Sequence, residues 1–291
     1  MYINYRNYAY AALMIDLKKS RSYSQWEREL IQHYISDVLE VLNEIFREEL
    51  VREMAFSAGD EVQGLFNSQE GAYRYFRMFE LFLHPVKLRA GIGVGDWEVR
   101  MEGQGSTSQD GTAYHRARYA IEHAQDGEGN EILLYSADRD YMINALIGHL
   151  SAMAERRSIY QNQLALLTEW MFPLLEKKTS EHMPAKFLEA EGLLQRKNGF
   201  DHEIGRVNKS LPFDRLNREA LENVGVVLLR EEEGLKDFFY ITRGKQRGIP
   251  TQLANVLGMN RQSIEKTLRA AEVFSARNMA LAALKEMREI G

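Results

Sequence analysis

Ala55-Phe56-Ser57-Ala58-Gly59-Asp60-Glu61-Val62-Gln63-Gly64-Leu65-Phe66 sets two short apolar runs on either side of Gly59-Asp60. Runs of that length around a Gly-Asp pair predict a β-hairpin. Its tip presents Asp60, followed by Glu61, where two strands meet. A second carboxylate, Asp16, ends the apolar run Tyr10-Ala11-Ala12-Leu13-Met14-Ile15. If the two strands lie side by side, Asp16 and Asp60 converge at one edge of a sheet. Paired carboxylates at a sheet edge are suited to holding Mg²⁺ together with a nucleotide phosphate.

The neighbouring segments supply the rest of that sheet. Tyr8 to Asp16 reads as a buried strand. Ser24, with Glu27 three residues on, predicts a capped start for a helix over about 26–50, with Ile31, Ile35, Val38, Leu42, Ile45 and Phe46 on its apolar face. After the hairpin, a second helix spans about 69–83, its stripe Tyr73, Phe76, Phe79 and Phe82 reading as core, and Pro85 ends it. Val86 to Gly95 reads as a strand, with Trp97 to Met101 returning beside it. The order β-α-β-β-α-β is that of a ferredoxin-like α+β domain, in which the first and third strands are central neighbours. That topology by itself brings the end of the first strand to the hairpin turn. Gly91-x-Gly93-x-Gly95 is open to two readings, a close-packed strand or a phosphate-approach loop. A helix starts at the Gly111 turn, and Glu131 to Tyr135 is one more short strand.

From Asp138 strand patterns largely stop. Helix is expected over about 141–175 with a break near Ser158 or Pro173, over 184–196, over 211–229 and through the tail, with a turn at Asn198-Gly199-Phe200-Asp201. The expected organisation is a sheet domain over 1–137, a helical connector over 138–242 and a terminal module over 243–291.

Composition sets outer bounds. The 291 residues are 45% hydrophobic, so a packed core is expected and global disorder is not. No cysteine is present, which excludes disulfides, thiolate metal sites and a cysteine nucleophile. The seven histidines show no ligand spacing, and His115 reads as a partly buried helix residue. No signal-peptide pattern or membrane-length apolar run is present, so a cytoplasmic protein is expected. The formal net charge is −5, yet from Arg243 onward nine basic side chains face four acidic ones. A basic tail on an acidic body points to a nucleic-acid reader there. Glu231-Glu232-Glu233 reads as a solvated face.

Within that tail, Pro250 to Leu268 fits a bihelical DNA-binding unit. Pro250 suits a first helical position, Ala254 allows close helix crossing and Gly258 supplies the turn. Leu253, Met259, Ile264 and Leu268 are spaced to fill the space between the helices. The second helix would then expose Arg261, Gln262, Ser263, Lys266 and Arg269, residue types that read base edges and phosphates. Such units also serve as protein-contact modules.

Four pieces in order, Ile15-Asp16-x-x-x-Ser20-Arg21, Gly59-Asp60-Glu61-x-Gln63-Gly64, Gly91-Ile-Gly-x-Gly95 and Asp110-Gly-x-Ala-Tyr114-x-x-Ala-Arg118, resemble the catalytic domain of class III nucleotide cyclases. The closer resemblance is to the SatD family, in which a cyclase-like domain precedes a helix-turn-helix. The resemblance covers roughly residues 8–125. It implies that Asp16 and Asp60 are metal ligands, with Glu61 as a third, holding Mg²⁺ or Mn²⁺ with a purine nucleotide. Lys18, Lys19, Ser20 and Arg21, through main chain or side chain, and Arg116 and Arg118 are the expected phosphate contacts. Departures are visible: Phe56 stands where an adenine-selecting lysine is usual, His115 where the transition-state asparagine is, and Tyr119 where its arginine is. Losing an arginine at a developing phosphoryl charge can cost about 10³-fold in rate. The expected function is therefore a nucleotide- and Mg²⁺-responsive DNA-binding transcription regulator, homodimeric, with a degenerate cyclase-like sensor. The alternatives are an active cyclase or short-oligonucleotide synthase using Asp16 and Asp60, and a structural adaptor.

Overall fold

The computed structural model describes residues 9–101, 104–124, 131–137, 139–174, 191–207, 209–222 and 248–290. The expectations for Glu231 to Glu233 and for Arg243, Lys245 and Arg247 lie outside these residues.

The sheet has five strands: β1 (Tyr10–Leu17), β2 (Leu50–Ala58), β3 (Glu61–Phe66), β4 (Leu88–Gly95) and β5 (Ile132–Tyr135), in the spatial order β2-β3-β1-β4-β5. The first four form the expected ferredoxin-like α+β order, every neighbouring pair antiparallel. β5 adds a parallel edge beside β4. The hairpin closes on the pair Ala58↔Glu61, with Gly59 at φ +63° in a two-residue turn. A glycine supplies that positive φ without steric cost. β2 is irregular, its register shifting three times along β3.

Alternation sorts the β1 side chains. Ala11, Leu13, Ile15 and Leu17 enter the main core with α1 (Gln25–Ile45) and α2 (Gln69–Leu83), while Ala12 and Met14 join Leu65 under α3 (Thr112–His123). α1 opens with the expected capping box, Ser24 Oγ accepting from the Glu27 N–H at 3.2 Å and Glu27 Oε2 accepting from the Ser24 N–H at 2.8 Å. It stops at Ile45 rather than near Leu50. The buried Glu49 carboxylate pairs with Arg74 of α2 at 2.8 Å, which fixes the turn so that β2 can begin at Leu50.

α3 lies very close to β4, and the glycine stripe explains why. A Cβ at Gly91 would sit 2.3 Å from the Ala117 carbonyl, and one at Gly93 would sit 2.1 Å from both the Ala113 carbonyl and the Ala117 nitrogen. Gly91-x-Gly93-x-Gly95 is thus a seat for a helix backbone, the first of its two readings. The expected return strand at Trp97 to Met101 does not form; only an isolated bridge, Val99↔Asp110, is present. The Gln109 side chain takes up this segment's hydrogen bonds instead, accepting from Trp97 Nε1 and the Met101 N–H and donating to the carbonyls of Met101, Gln104 and Gly105.

Among the described residues the helical half holds α4 (Tyr141–Glu155), α5 (Ile159–Met171), α6 (Glu191–Gly205), α7 (Arg218–Glu222), α8 (Ile249–Leu257), α9 (Arg261–Ala270) and α10 (Val273–Ile290). Ser158 caps α5 at the expected break. The expected turn at Asn198 to Asp201 is instead helical. Phe200 stacks on Tyr34 of α1 at 4.2 Å, and Lys197 pairs with Asp201 at 2.6 Å with both side chains fully buried. Tertiary burial here overrides the turn propensity of Asn-Gly. One apolar cluster runs from Ala11 of β1 to Met287 of α10.

Buried charge joins the two halves. Glu169 of α5 accepts from Arg77 of α2 at 2.6 Å and lies 2.7 Å from Arg277 of α10. Nearby, Ser151 of α4 donates to Glu80 of α2. Burial pushes the Glu80 carboxyl up to about 7, against the lowering effect of Ser151, Arg77 and Arg157.

Two predictions follow from this packing. Gly93→Ala drives a methyl into the α3 backbone and should lower unfolding stability by about 3 kcal/mol. Gly199→Ala, where a Cβ meets open space inside α6, should raise it by about 0.5–1 kcal/mol. Urea melts of both variants check this contrast. Glu80 holds its proton more tightly folded than unfolded. Its contribution is therefore fully present below its unfolded value of 4.5 and lost as pH rises through about 7. The full linkage is on the order of 2–3 kcal/mol. Glu80→Gln should be more stable than the parent by that amount at pH 8 and equal to it near pH 4, read from melts at both pH values.

Candidate functional site

The carboxylate edge forms where β1 ends and the hairpin turns. Ile15 pairs with Val62 across β1 and β3, so Asp16 lies at the hairpin end of the ladder. On its other side Asp16 is directly opposite Arg89 of β4. Arg89 donates Nε to Asp16 Oδ2 at 2.8 Å, and Nη2 donates to the same oxygen. This arginine is the partner the sequence reading missed. Its signal was available, since antiparallel register places it across from Asp16.

Glu61 opens β3 and is committed. Arg118 of α3 donates Nη2 to Oε1 at 2.7 Å and Nη1 to Oε2, while Ser57 Oγ donates to Oε1 at 2.8 Å. Burial pushes the Glu61 carboxyl up. The hydrogen bonds from Arg118 and Ser57, with the charges of Arg118 and Arg89, more than offset this and hold it below the usual range. The Arg118 guanidinium is held above its ordinary value by its bonds to Glu61, with a smaller attraction to Asp16. Asp60 sits in the turn itself, with Oδ2 buried and without a hydrogen-bond partner.

These positions decide which residues fit a divalent cation. An unpartnered buried carboxylate oxygen suits a cation ligand, which Asp60 supplies. Asp16 has one oxygen held by Arg89. Glu61 has both oxygens occupied and acts as an anchor for Arg118. Among the described residues no group of three His, Asp or Glu side chains is arranged to hold a metal ion.

The expected phosphate contacts divide. Lys18 spends its N–H on the Lys87 carbonyl at 2.8 Å and its ammonium on Glu131. Lys19 adopts φ +57° at the start of a 3-10 turn, Ser20–Ser22, where Lys19 and Arg21 are exposed beside the edge. Arg116 is not brought there. It donates to the Val94 carbonyl at 2.5 Å, five residues along β4 from Arg89 and so roughly 17 Å away. Of the departures, His115 is exposed rather than half-buried and lies 3.2 Å from Asp110, and Tyr119 is half-exposed and stacks on His123 at 3.8 Å.

A second surface lies on α9. α8 ends at Gly258 with φ +61°, and the Met259 N–H bonds back to the Ala254 carbonyl at 2.9 Å. Asn260 then caps α9, its side chain accepting from the Gln262 N–H at 2.8 Å. Leu253, Ile264 and Leu268 are fully buried between the two helices, with Met259 half-buried against the core. Arg261, Gln262, Ser263, Lys266 and Arg269 are all exposed, with Arg269 loosely paired to Glu265 at 3.5 Å. Arg277, counted with the basic tail, is buried and takes no part in this surface.

Arg118→Ala should cost about 1 kcal/mol at pH 7 by leaving Glu61 half-buried and uncompensated. A carboxyl held low stabilises above its unfolded value and stops doing so as pH falls through the folded one. The cost should therefore shrink below pH 4, which chemical denaturation at pH 7 and pH 3.5 measures.

No curated protein matches the chain. The model of the SatD family matches residues 10–181, from β1 past the end of α5. That match spans more than half of the sequence and includes the whole carboxylate edge, and on it the chain belongs to the SatD family.

Proposed function

We propose that the chain is a nucleotide-responsive DNA-binding regulator, read out through α8 and α9 as a helix-turn-helix and sensed at the Asp16–Asp60 edge. One observation carries this reading. α9 buries only Ile264 and Leu268 and turns Arg261, Gln262, Ser263, Lys266 and Arg269 to solvent on a unit closed by a left-handed glycine. A helix of that kind presents its N-terminal residues to the major groove, where arginine and glutamine reach guanine and adenine edges. Pairing of half-sites favours a homodimer, and DNA as the partner favours a cytoplasmic protein.

At the sheet edge, Asp60 and the second oxygen of Asp16 would hold Mg²⁺ or Mn²⁺ bound to a purine nucleotide. The cation would neutralise the phosphates. Exposed Lys19 and Arg21 would lie beside them. Glu61 positions Arg118 and Arg89 positions Asp16. With Tyr119 stacked on His123 where the cyclase arginine would act, the site supports binding better than turnover.

Selection from a random duplex pool should enrich a sequence. Arg261→Ala should weaken binding to it about tenfold or more, and Lys266→Ala should reduce the salt slope by about 1. No enrichment overturns the DNA half. Calorimetry with ATP and GTP in Mg²⁺ should show binding that Asp60→Ala abolishes, and binding indifferent to that change overturns the sensor half. Chromatography of the same mixtures should return unchanged nucleotide; a cyclic or oligomeric product would make the chain an enzyme.

A further inference from the structure

We propose that a cavity between α2, α4, α5 and α10 binds a small monovalent anion, chloride by size and charge. The cavity has a volume of about 20 Å³ and is lined on its polar side by Arg77, Glu80, Ser151, Arg157, Glu169 and Arg277. Nothing in the nucleotide or DNA reading depends on it.

Charge is the first argument. Three guanidiniums face two carboxylates. Glu169 serves two of them, 2.6 Å from Arg77 and 2.7 Å from Arg277. Among the described residues Arg157 makes no such pair; its Nε donates to the Ala271 carbonyl at 3.2 Å, just past the end of α9. Burial, and then the charge of Arg77, hold Arg157 below the ordinary arginine range; burial, with Arg77 again opposing, does the same for Arg277. Glu80 is the remaining carboxylate, and burial raises it to about 7, so near neutrality it is half protonated. A protonated Glu80 leaves three cations facing one anion. Of the other acids near the cluster, Glu155 is engaged by Lys87 at 3.1 Å and Glu272 lies exposed outside. Tyr73, from α2, is neutral, burial holding its hydroxyl up at about 12.

Unmet hydrogen bonding is the second argument. Arg277 is 2% exposed, with Nη2 donating to the Phe172 carbonyl at 2.6 Å and Nη1 against Glu169. Its Nε is buried without a partner. A buried unpaired donor on a cation is costly, and an anion beside it satisfies both the bond and the charge. Size is the third argument. About 20 Å³ holds one sphere of water or halide dimensions, and a tetrahedral oxyanion exceeds it.

The same geometry couples the anion to a proton. Ionised Glu80 repels the anion and neutral Glu80 admits it. Binding should therefore tighten as pH falls toward 7 and weaken about tenfold per pH unit above it.

Crystals of the full chain soaked in sodium bromide should show an anomalous peak among Arg77, Arg157 and Arg277. In solution, replacing sodium gluconate with sodium chloride at constant ionic strength should raise the melting temperature saturably, more at pH 7 than at pH 9. Glu80→Gln should bind chloride equally at both pH values, and Arg277→Met should not respond. If Arg277→Met does not fold, Arg157→Gln replaces it, with the same loss expected. A cavity without anomalous signal, or identical melting in the two salts, overturns the proposal.

Discussion

The contact between α3 and β4 is the constraint on which the rest of the molecule depends. It is backbone against backbone, made possible because Gly91 and Gly93 remove the side chains that would hold a helix and sheet about 10 Å apart. The close approach brings Arg118 down to the sheet level, where it can reach Glu61 at the start of β3. It also leaves α1 and α2 to cover the opposite face. The acidic edge is thus a by-product of sheet packing.

Much of this was legible in the residues. The βαββαβ order, the hairpin at Gly59-Asp60, the capping box at Ser24 and the break at Ser158 rest on local chemistry, and local chemistry survives folding. The misreadings came where distant residues intervened. α1 ends early because Arg74, from the next helix, claims Glu49. The strand expected at Trp97 gives way to a single glutamine that supplies a ladder's worth of hydrogen bonds. Asn198 to Asp201 stays helical because Phe200 is buried against Tyr34 of α1 and Asp201 against Lys197.

The edge was half legible. Its carboxylates could be placed from topology, and so could Arg89 opposite Asp16. The partner of Glu61 could not, because that pairing depends on which face of α3 meets the sheet. Arg116 and Arg118 are two residues apart, and a helix separates such neighbours to different sides. One reaches Glu61 and the other turns toward Val94. At the α8–α9 pair the turn at Gly258 and the burial of Leu253, Ile264 and Leu268 were legible, since both are short-range.

β2, on the outer side of the sheet, slips register three times and carries Arg52 and Glu53 along its length. A strand so kinked offers no straight row of free amides and carbonyls for a foreign chain to zip onto. The opposite border, β5, is only four residues long. Both described margins are thus poor templates for an incoming strand, and the sheet's edges are blunted against lengthening by a second chain.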